Sequence, residues 1–426
     1  MKNIWIWNHY ATNMFKDHAG RHYWFSENLL KKGYSPTIFC ASTIHNSNEV
    51  IDTKGQKYIL DNANGIPFVF LKTPIYAGNG KQRIRNMAMF FKNLFPVSEE
   101  YAKKYGKPDL ILASSVHPLT LVAGIKIAKK FGVPCICEVR DLWPESIVAY
   151  GSLKRNNIFA KLLYQGEKWI YKRADSIIMT WEGGAEYILD QKWDKQINLD
   201  KVNYISNGVV IEEFDKNCMN NKLSDPDLDD LNYKNVVYTG SIRKVNDIGL
   251  ILNAAKIIQL KGIKDIRFLI YGSGDQKEQL EKRCTDEGIN NVIFKGRVKK
   301  NQVPSILKRS HVNLLHNLST SLNKYGQSQN KLFEYLAAGK CIVQTYPTGY
   351  SICERYDCGV VAPKQNPVEI AKAIISSCED DEVNKSMGKN ARSAAYQFDF
   401  NILTDKLIHL IESFNEGEEQ EIGIVQ

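Results

Sequence analysis

Short apolar runs alternate with stretches of helical periodicity along almost the whole chain. In the first half, residues 3–7, 36–40, 109–114, 134–139 and 176–180 are short, apolar and flanked by helical patterns, which predicts strands. Residues 156–173 are the clearest amphipathic helix of this half, and 201–205 predict its last strand, ending at Ser206-Asn207-Gly208. A polar, acidic, turn-rich stretch follows at 212–235 and predicts a linker. The pattern then starts afresh, with predicted strands at 235–240, 266–271, 291–294, 312–315, 341–343 and 359–361. A final helix is expected over 401–414. Such alternation implies parallel sheets covered by helices on both faces. The expected fold class is therefore α/β, with two Rossmann-like domains facing across a cleft. The expected division is 1–211, a linker at 212–235, 236–396, and a C-terminal helix and tail at 397–426 that returns to the first domain.

Size agrees, because 426 residues exceed one typical core. No apolar run reaches the length of a membrane span, and the start, Met1 to Tyr10, reads as a first strand rather than a secretory signal. The nine cysteines show no metal-binding spacing. Cys135 and Cys137 fall on opposite faces of one strand, so buried reduced thiols of a cytoplasmic protein are expected. The net charge of +9 is uneven: through Val210 there are 28 basic and 18 acidic residues, and the rest is nearly balanced. Either a nucleic-acid binder or a domain facing an anionic membrane has this distribution.

Four constellations carry candidate chemistry. Asp17 to His22 includes Gly20 and Arg21 just after the first strand, where small residues opening a helix let backbone N–H groups approach an anion. Gly20 as a simple turn residue remains an equal reading. His117 precedes Pro118, which keeps it out of a regular helix interior and places it above the strand at 109–114. Glu138, Arg140, Asp141, Trp143 and Glu145 crowd the end of the next strand as an acceptor or reaction-site wall, although Arg140 and Asp141 could equally be a structural ion pair. In the second half, Gly240, Arg243 and Lys244 join Gly272 and Gly274 in a phosphate-friendly rim, where a cation could neutralise a departing diphosphate. Farther on, residues 325–347 hold Glu334 near the start of an apolar helix that ends at Gly339 and leads into a strand. A carboxylate there suits the hydroxyls of a ribose.

In order, Ala19-Gly20, Val116-His117, Ser206-Asn207-Gly208-Val209, Tyr238-Thr239-Gly240, Tyr271-Gly272-Ser273-Gly274 and Lys331 to Lys340 span nearly the whole chain. The set resembles retaining nucleotide-sugar glycosyltransferases of the two-Rossmann-domain (GT-B) type, in the large family 4. The run from Arg140 to Glu145 resembles a subgroup that builds bacterial surface polysaccharides such as O-antigen or capsule, often from N-acetylated 6-deoxyhexosamine donors such as fucosamine. The resemblance implies a nucleoside diphosphate-sugar donor, most commonly UDP-linked, and no cofactor or divalent metal. It implies that the second domain holds the donor through Asn207, Gly240, Gly272, Gly274, Asn330, Lys331, Leu332 and Glu334, with Gly20 near the phosphates. His117 would contact the transferred sugar, and Arg243 or Lys244 would stabilise the leaving diphosphate. Arg21, Glu138, Arg140, Asp141 and Glu145 would face the acceptor, an undecaprenyl-diphosphate-linked saccharide.

Two departures stand out. Gly326 occupies the position of the family's second glutamate, leaving Gln327, Ser328 or Gln329 as substitutes, and Ser241 stands where an arginine is common. Other readings of the same fold are a nucleotide-sugar epimerase or hydrolase, and a noncatalytic nucleotide- or glycan-binding protein. Finally, Ile84, Met87, Phe91 and Phe95 recur at helical steps beside Lys81, Arg83, Arg85 and Lys92. That stripe is expected either to join the core or to rest reversibly on the anionic inner face of the cell membrane. The resembling family favours the membrane surface over nucleic acid.

Overall fold

The computed structural model describes residues 1–45, 47, 49–76, 78 and 80–423, with side chains through residue 414. Chain contacts divide it into two units, Met1–Ser206 with Phe400–Gln426, and Asn207–Asp399.

The first unit is built on an eight-stranded sheet. Its strands are β1 (Asn3–Trp7), β2 (Ser35–Ala41), β3 (Tyr58–Ala63), β4 (Ile66–Leu71), β5 (Leu110–Ser114), β6 (Cys135–Val139), β7 (Ser176–Met179) and β8 (Val202–Tyr204). They lie in the order β3-β4-β2-β1-β5-β6-β7-β8, and only β3 runs antiparallel to its neighbour. Both faces of the central strands are covered, so they read as continuous apolar runs rather than alternating ones. Trp5 and Trp7 of β1 are fully buried, with Trp5 4.9 Å from the ring of Phe39 on β2. The β3–β4 hairpin escaped the pattern reading. Asn64 and Gly65, at φ +53° and +88°, form its two-residue turn. This dipeptide is the standard short-range hairpin signal, but the polar face of β3 masks the strand beside it.

The helix Phe400–Gly423 packs on the helix Arg21–Lys31 of the same unit, with Phe400 4.7 Å from Trp24 and 5.3 Å from Phe25. Glu412 accepts from Lys2 Nζ and from Tyr34 Oη, each at 2.6 Å. The expected return of the C-terminal helix to the first domain is therefore observed.

The second unit carries a six-stranded parallel sheet of β9 (Lys234–Thr239), β10 (Ile266–Tyr271), β11 (Val292–Gly296), β12 (Val312–Leu315), β13 (Cys341–Gln344) and β14 (Gly359–Val361). The order is β11-β10-β9-β12-β13-β14, with an apolar core on each face. The stretch 212–235 is folded into this unit and is not a linker, so the division falls at Ser206–Asn207 instead. Its acidic residues are partners rather than solvated charges. Asp225 caps the helix Pro226–Asp229, accepts from Tyr271 Oη at 2.7 Å, and shares Lys295 with Asp227. Phe214 and Leu228 are buried alongside.

The helix Lys81–Tyr105 takes most of the expected stripe toward the core: Met87 is buried and Phe91 and Phe95 are half-buried. Met87, Phe90, Leu94, Val97 and Tyr101 are buried, whereas Ile84 is 65% exposed. Arg83 is not a surface cation of a lipid face either, because its Nε donates to Tyr10 Oη at 2.8 Å. All nine cysteines are unpaired, and eight of them are buried.

Candidate functional site

In an open parallel sheet, ligands settle outside the carboxyl ends of the strands where the strand order reverses. Each unit has one such point. In the first it lies between β1 and β5, because β2 is laid on one side of β1 and β5 on the other. In the second it lies between β9 and β12 for the same reason.

At the first reversal stand His9, two residues past β1, and His117, three residues past β5. His117 caps the helix Pro118–Phe131 with an extended backbone, and Pro118 occupies the first helical position, where a missing N–H costs nothing. His117 Nε2 lies 3.1 Å from His9 Nδ1, and both rings are buried. His9 stacks on Phe90 at 4.6 Å and on Tyr10 at 4.7 Å. Burial, helped by the charge of Arg83, lowers the His117 pKa to about 3; burial and the neighbouring His117 hold His9 well below its ordinary value. Both imidazoles are therefore neutral near pH 7, and one N–H can be shared between them. His117 Nδ1 is buried with no hydrogen-bond partner among the described residues. Such an atom is costly unless a ligand or water satisfies it.

Behind this pair lies a closed network. Glu138 at the end of β6 is fully buried. It accepts from Arg21 Nε at 2.7 Å, Ser114 Oγ at 2.7 Å and His22 Nε2 at 2.9 Å. Asn8 Nδ2 sits 2.8 Å from His22 Nδ1, which assigns the neutral tautomer with the proton on Nε2. Burial pushes the Glu138 carboxyl up, but Arg21 and His22 outweigh it and hold the pKa well below 4.5. The Arg21 guanidinium also donates to the carbonyls of Ile205 and Ser206, tying the segment after β8 to the helix Arg21–Lys31. Glu145 is likewise occupied, by Arg155 at 2.7 Å and Tyr164 at 2.6 Å. Arg21, Glu138 and Glu145 thus act as internal braces of the first unit. Arg140 is half-buried with an unpartnered Nε among the described residues, and Asp141 is exposed, so these two remain open to a ligand. Beside them, Asp141, Trp143, Ser115 and Glu167 line a small cavity of about 20 Å³, room for about one water. Gly20 caps the helix Arg21–Lys31 at φ +117°, and a Cβ there would come within 2.9 Å of Met14 Cγ. Its glycine requirement is thereby explained without a ligand.

At the second reversal the chain turns sharply after β9. Gly240 has φ +153°, and a Cβ on it would lie 2.9 Å from Tyr238 Oη and 3.1 Å from Lys331 Nζ. Lys331 Nζ stands 4.4 Å from the centroid of the Tyr238 ring, with His316 O at 3.4 Å. Burial lowers the Lys331 pKa to about 8. The helix Asn330–Ala338 presents Lys331 in its first turn and Glu334 in its second. Burial raises the Glu334 pKa, against the opposing pull of Lys300 and Lys331. Leu332 is fully buried in the core, where its side chain supports the helix, while Asn330 is exposed.

Gly272 and Gly274 serve backbone packing. A Cβ on Gly272 would fall 1.8 Å from Gly240 O, and one on Gly274 would fall 2.1 Å from Ile242 O. Gly240 N donates to Tyr271 O at 3.0 Å and Ile242 N to Ser273 O at 2.9 Å, which locks the two strand-end loops together. Arg243 and Lys244 project from that loop and are exposed. Gly326 has φ +103°, a conformation that favours glycine over a glutamate. Asn207 holds this loop through Ser328, by its N–H to Oγ at 2.9 Å and its Nδ2 to O at 2.7 Å. Gln327 is buried against Gln344 and Tyr346. Gln329, which bonds Asn317 and Tyr346, keeps a buried, unpartnered Oε1 among the described residues. Gln329 is thus the substitute with an acceptor to spare.

His316 was missed by sequence reasoning. It follows β12 directly, is fully buried, and joins Thr345 Oγ1 at 2.6 Å and Asp247 O at 3.0 Å. Burial takes its pKa to about 4. Like His117 it stands just past an apolar strand, but Asn317 follows it, so the His-Pro step that singled out His117 is absent.

Residues 23–213 match the family described as glycosyltransferase family 4, and residues 221–394 match glycosyl transferases group 1. An uncharacterized glycosyltransferase of Methanocaldococcus jannaschii is 24% identical over 271 residues, covering 55% of this chain and 65% of that protein. Among solved structures, sucrose-phosphate synthase from Thermosynechococcus elongatus is similar over 98% of this chain and all of that one, with a TM-score of 0.69 at 15% identity. Anabaena HepE in complex with UDP is similar over 97% of this chain and 100% of that one, with a TM-score of 0.65 at 14% identity. The chain therefore has the two-domain GT-B fold and is related to the family 4 and group 1 glycosyltransferases.

Proposed function

We propose that this chain is a retaining glycosyltransferase that moves a hexose or an N-acetylated 6-deoxyhexosamine from a nucleoside diphosphate-sugar to a lipid-linked saccharide. One observation carries the reading: Lys331, half-buried over Tyr238 at the glycine turn after β9, with Glu334 one helical turn on. That arrangement offers a cation and close backbone to a diphosphate and a carboxylate to a ribose. The likeness to a UDP-bound structure supports uridine as the base. Arg243 and Lys244 extend the cationic rim from the exposed loop.

The first unit supplies the sugar and acceptor contacts. His117 is neutral, so its unpartnered Nδ1 can hydrogen-bond a sugar hydroxyl without imposing charge. Arg140 and Asp141 face the acceptor, and the run they open supports a surface-polysaccharide product such as O-antigen or capsule. Glu138 and Glu145, tied up behind the first reversal, are not free to serve as the base of a single inverting displacement or as the nucleophile of a double one, which favours a front-side route with retention. The acceptor hydroxyl attacks from the side on which the diphosphate departs, and a phosphate oxygen takes its proton. The protein then positions two substrates and stabilises the developing negative charge. The reaction belongs to the cytoplasmic side of the membrane, where donor and carrier-linked acceptor meet.

The test is a panel of UDP- and GDP-sugars, including N-acetylated 6-deoxyhexosamines, offered with undecaprenyl-diphosphate-linked saccharides. The expected result is one glycoside whose anomeric configuration, read by NMR, matches that of the donor. Inverted product would overturn retention, and free sugar without transfer would indicate a hydrolase or epimerase. Binding of UDP without any turnover would indicate a noncatalytic protein.

A further inference from the structure

The helix Ile158–Arg173 of the first unit shows solvent an apolar cluster that its core does not need. Ile158 is 76% exposed, Phe159 58% and Leu162 64%. At about 100° per residue these three share one side of the helix. Asn157 fixes its start, because its side-chain oxygen accepts from Phe159 N at 2.8 Å, so Ile158 and Phe159 are held at the exposed end. The surrounding charge has one sign. Lys154, Lys161, Lys172 and Arg173 are exposed, while Glu167, the only acidic residue between 151 and 173, is buried. It accepts instead from Tyr171 Oη at 2.7 Å and Tyr187 Oη at 2.8 Å.

From these observations we infer that this helix, and not Lys81–Tyr105, is the surface by which the protein docks on an anionic lipid bilayer. An apolar cluster flanked by Lys154 and Lys161, with Lys172 and Arg173 farther along a helix whose one acid is buried, complements a negatively charged interface: the side chains enter the headgroup layer and the ammonium groups meet phosphates. No helix among the described residues is long and apolar enough to cross a membrane, so the attachment is peripheral. The inward face of the same helix carries Glu167, Ile170 and Tyr171, which line the cavity beneath Asp141 and Trp143.

Flotation with vesicles tests this without reference to sugar transfer. The full chain should float with phosphatidylglycerol–phosphatidylcholine vesicles at low salt, and remain behind with phosphatidylcholine alone. Lys154→Glu/Lys161→Glu/Lys172→Glu should weaken binding at least about tenfold, and Phe159→Ser/Leu162→Ser should weaken it at any salt concentration. Lys81→Glu/Arg85→Glu should bind as the parent does. All these positions are exposed, and an unchanged unfolding temperature would establish that each variant is folded. Binding that survives the helix variants, or that is lost with Lys81→Glu/Arg85→Glu, overturns the assignment. So does sedimentation showing a dimer that the Phe159→Ser/Leu162→Ser variant splits, since the patch would then belong to a second copy of the chain.

Discussion

At the strand-order reversal of the first unit two neutral imidazoles touch, His9 and His117; at that of the second an ammonium, Lys331, stands over a phenol ring. The two sheets place the same kind of position, the loop after a central strand, in the same topological setting. What differs is how the charges nearby are handled. The first unit withdraws Glu138 and Glu145 into closed networks and leaves the neutral His9 and His117 at its reversal. The second keeps Lys331 and Glu334 half-buried, and locks its loops by glycine packing rather than by ion pairs. Shared topology fixes where a ligand can sit, while the placement of charge decides which part of the ligand each unit can hold.

The largest effect is expected where the first unit's closed network is broken. Glu138→Gln removes the counter-charge of a buried guanidinium, and losing one partner of a buried pair costs about 3–5 kcal/mol. Chemical unfolding should show the first unit melting early. The pH dependence has a definite sign. The folded carboxyl titrates well below 4.5, so its contribution is present above the unfolded value and disappears as pH falls through the lower folded one. Acid should therefore unfold the parent protein over that interval, and Glu138→Gln should lack that component. In the second unit Gly272→Ala tests the alternative device. Its Cβ would meet Gly240 O at 1.8 Å, and relief requires the two loops to part, at a cost of about 1–3 kcal/mol. If Glu138→Gln is as stable as the parent, the contrast between the two units is wrong.

Much of this contrast was legible before the structure. Apolar runs located nearly every parallel strand, and the His117-Pro118 step placed a histidine above β5 because proline at the first helical position ends one element and starts another. The hairpin Tyr58–Ala63 with Ile66–Leu71 was lost because β3 is an edge strand whose polar, exposed positions weaken the pattern. The acidic stretch 212–235 read as a linker because the partners of its acids, Lys295 and Arg309, lie far along the chain. Glu138 and Arg21 looked like ligand groups for a related reason: periodicity reports neither burial nor the 117 residues separating one partner from the other. Gly272 and Gly274 fitted a phosphate loop, yet their missing side chains make room for backbone.

Next in size is the separation of sugar from nucleotide. His117→Ala should lower turnover by about 10²-fold while leaving UDP affinity in calorimetry nearly unchanged. Because the imidazole titrates near 3, its contribution should stay flat from pH 5 to 8. Lys331→Met should do the reverse, weakening UDP by about 1.5–3 kcal/mol, the worth of a charged hydrogen bond. With its pKa near 8, Lys331 is cationic below that value, so parental UDP affinity should fall as pH rises through 8. Lys331→Arg should remove that fall. Glu334→Gln should weaken UDP by a similar or smaller amount. Equal losses for UDP and for the whole donor in His117→Ala would make His117 a structural residue and erase the division between the units.

The smallest effect separates the half-buried cation of the second unit from its exposed ones. Arg243 and Lys244 lie on the loop after Gly240, open to solvent, at a position where a charge is screened by water and salt. Each alanine substitution should reduce UDP affinity by only about two- to fivefold at low ionic strength, and the difference should shrink as salt is added. Lys331, being half-buried, should keep most of its effect under the same salt. Calorimetric titration of UDP across a salt series, with all three variants side by side, reads this directly. If Arg243→Ala and Lys244→Ala change nothing even at low salt, the exposed loop is no part of the diphosphate site, and Lys331 with the backbone at Gly240 carries it alone. If one of them instead matches Lys331→Met at high salt, that side chain closes onto the ligand and is desolvated there.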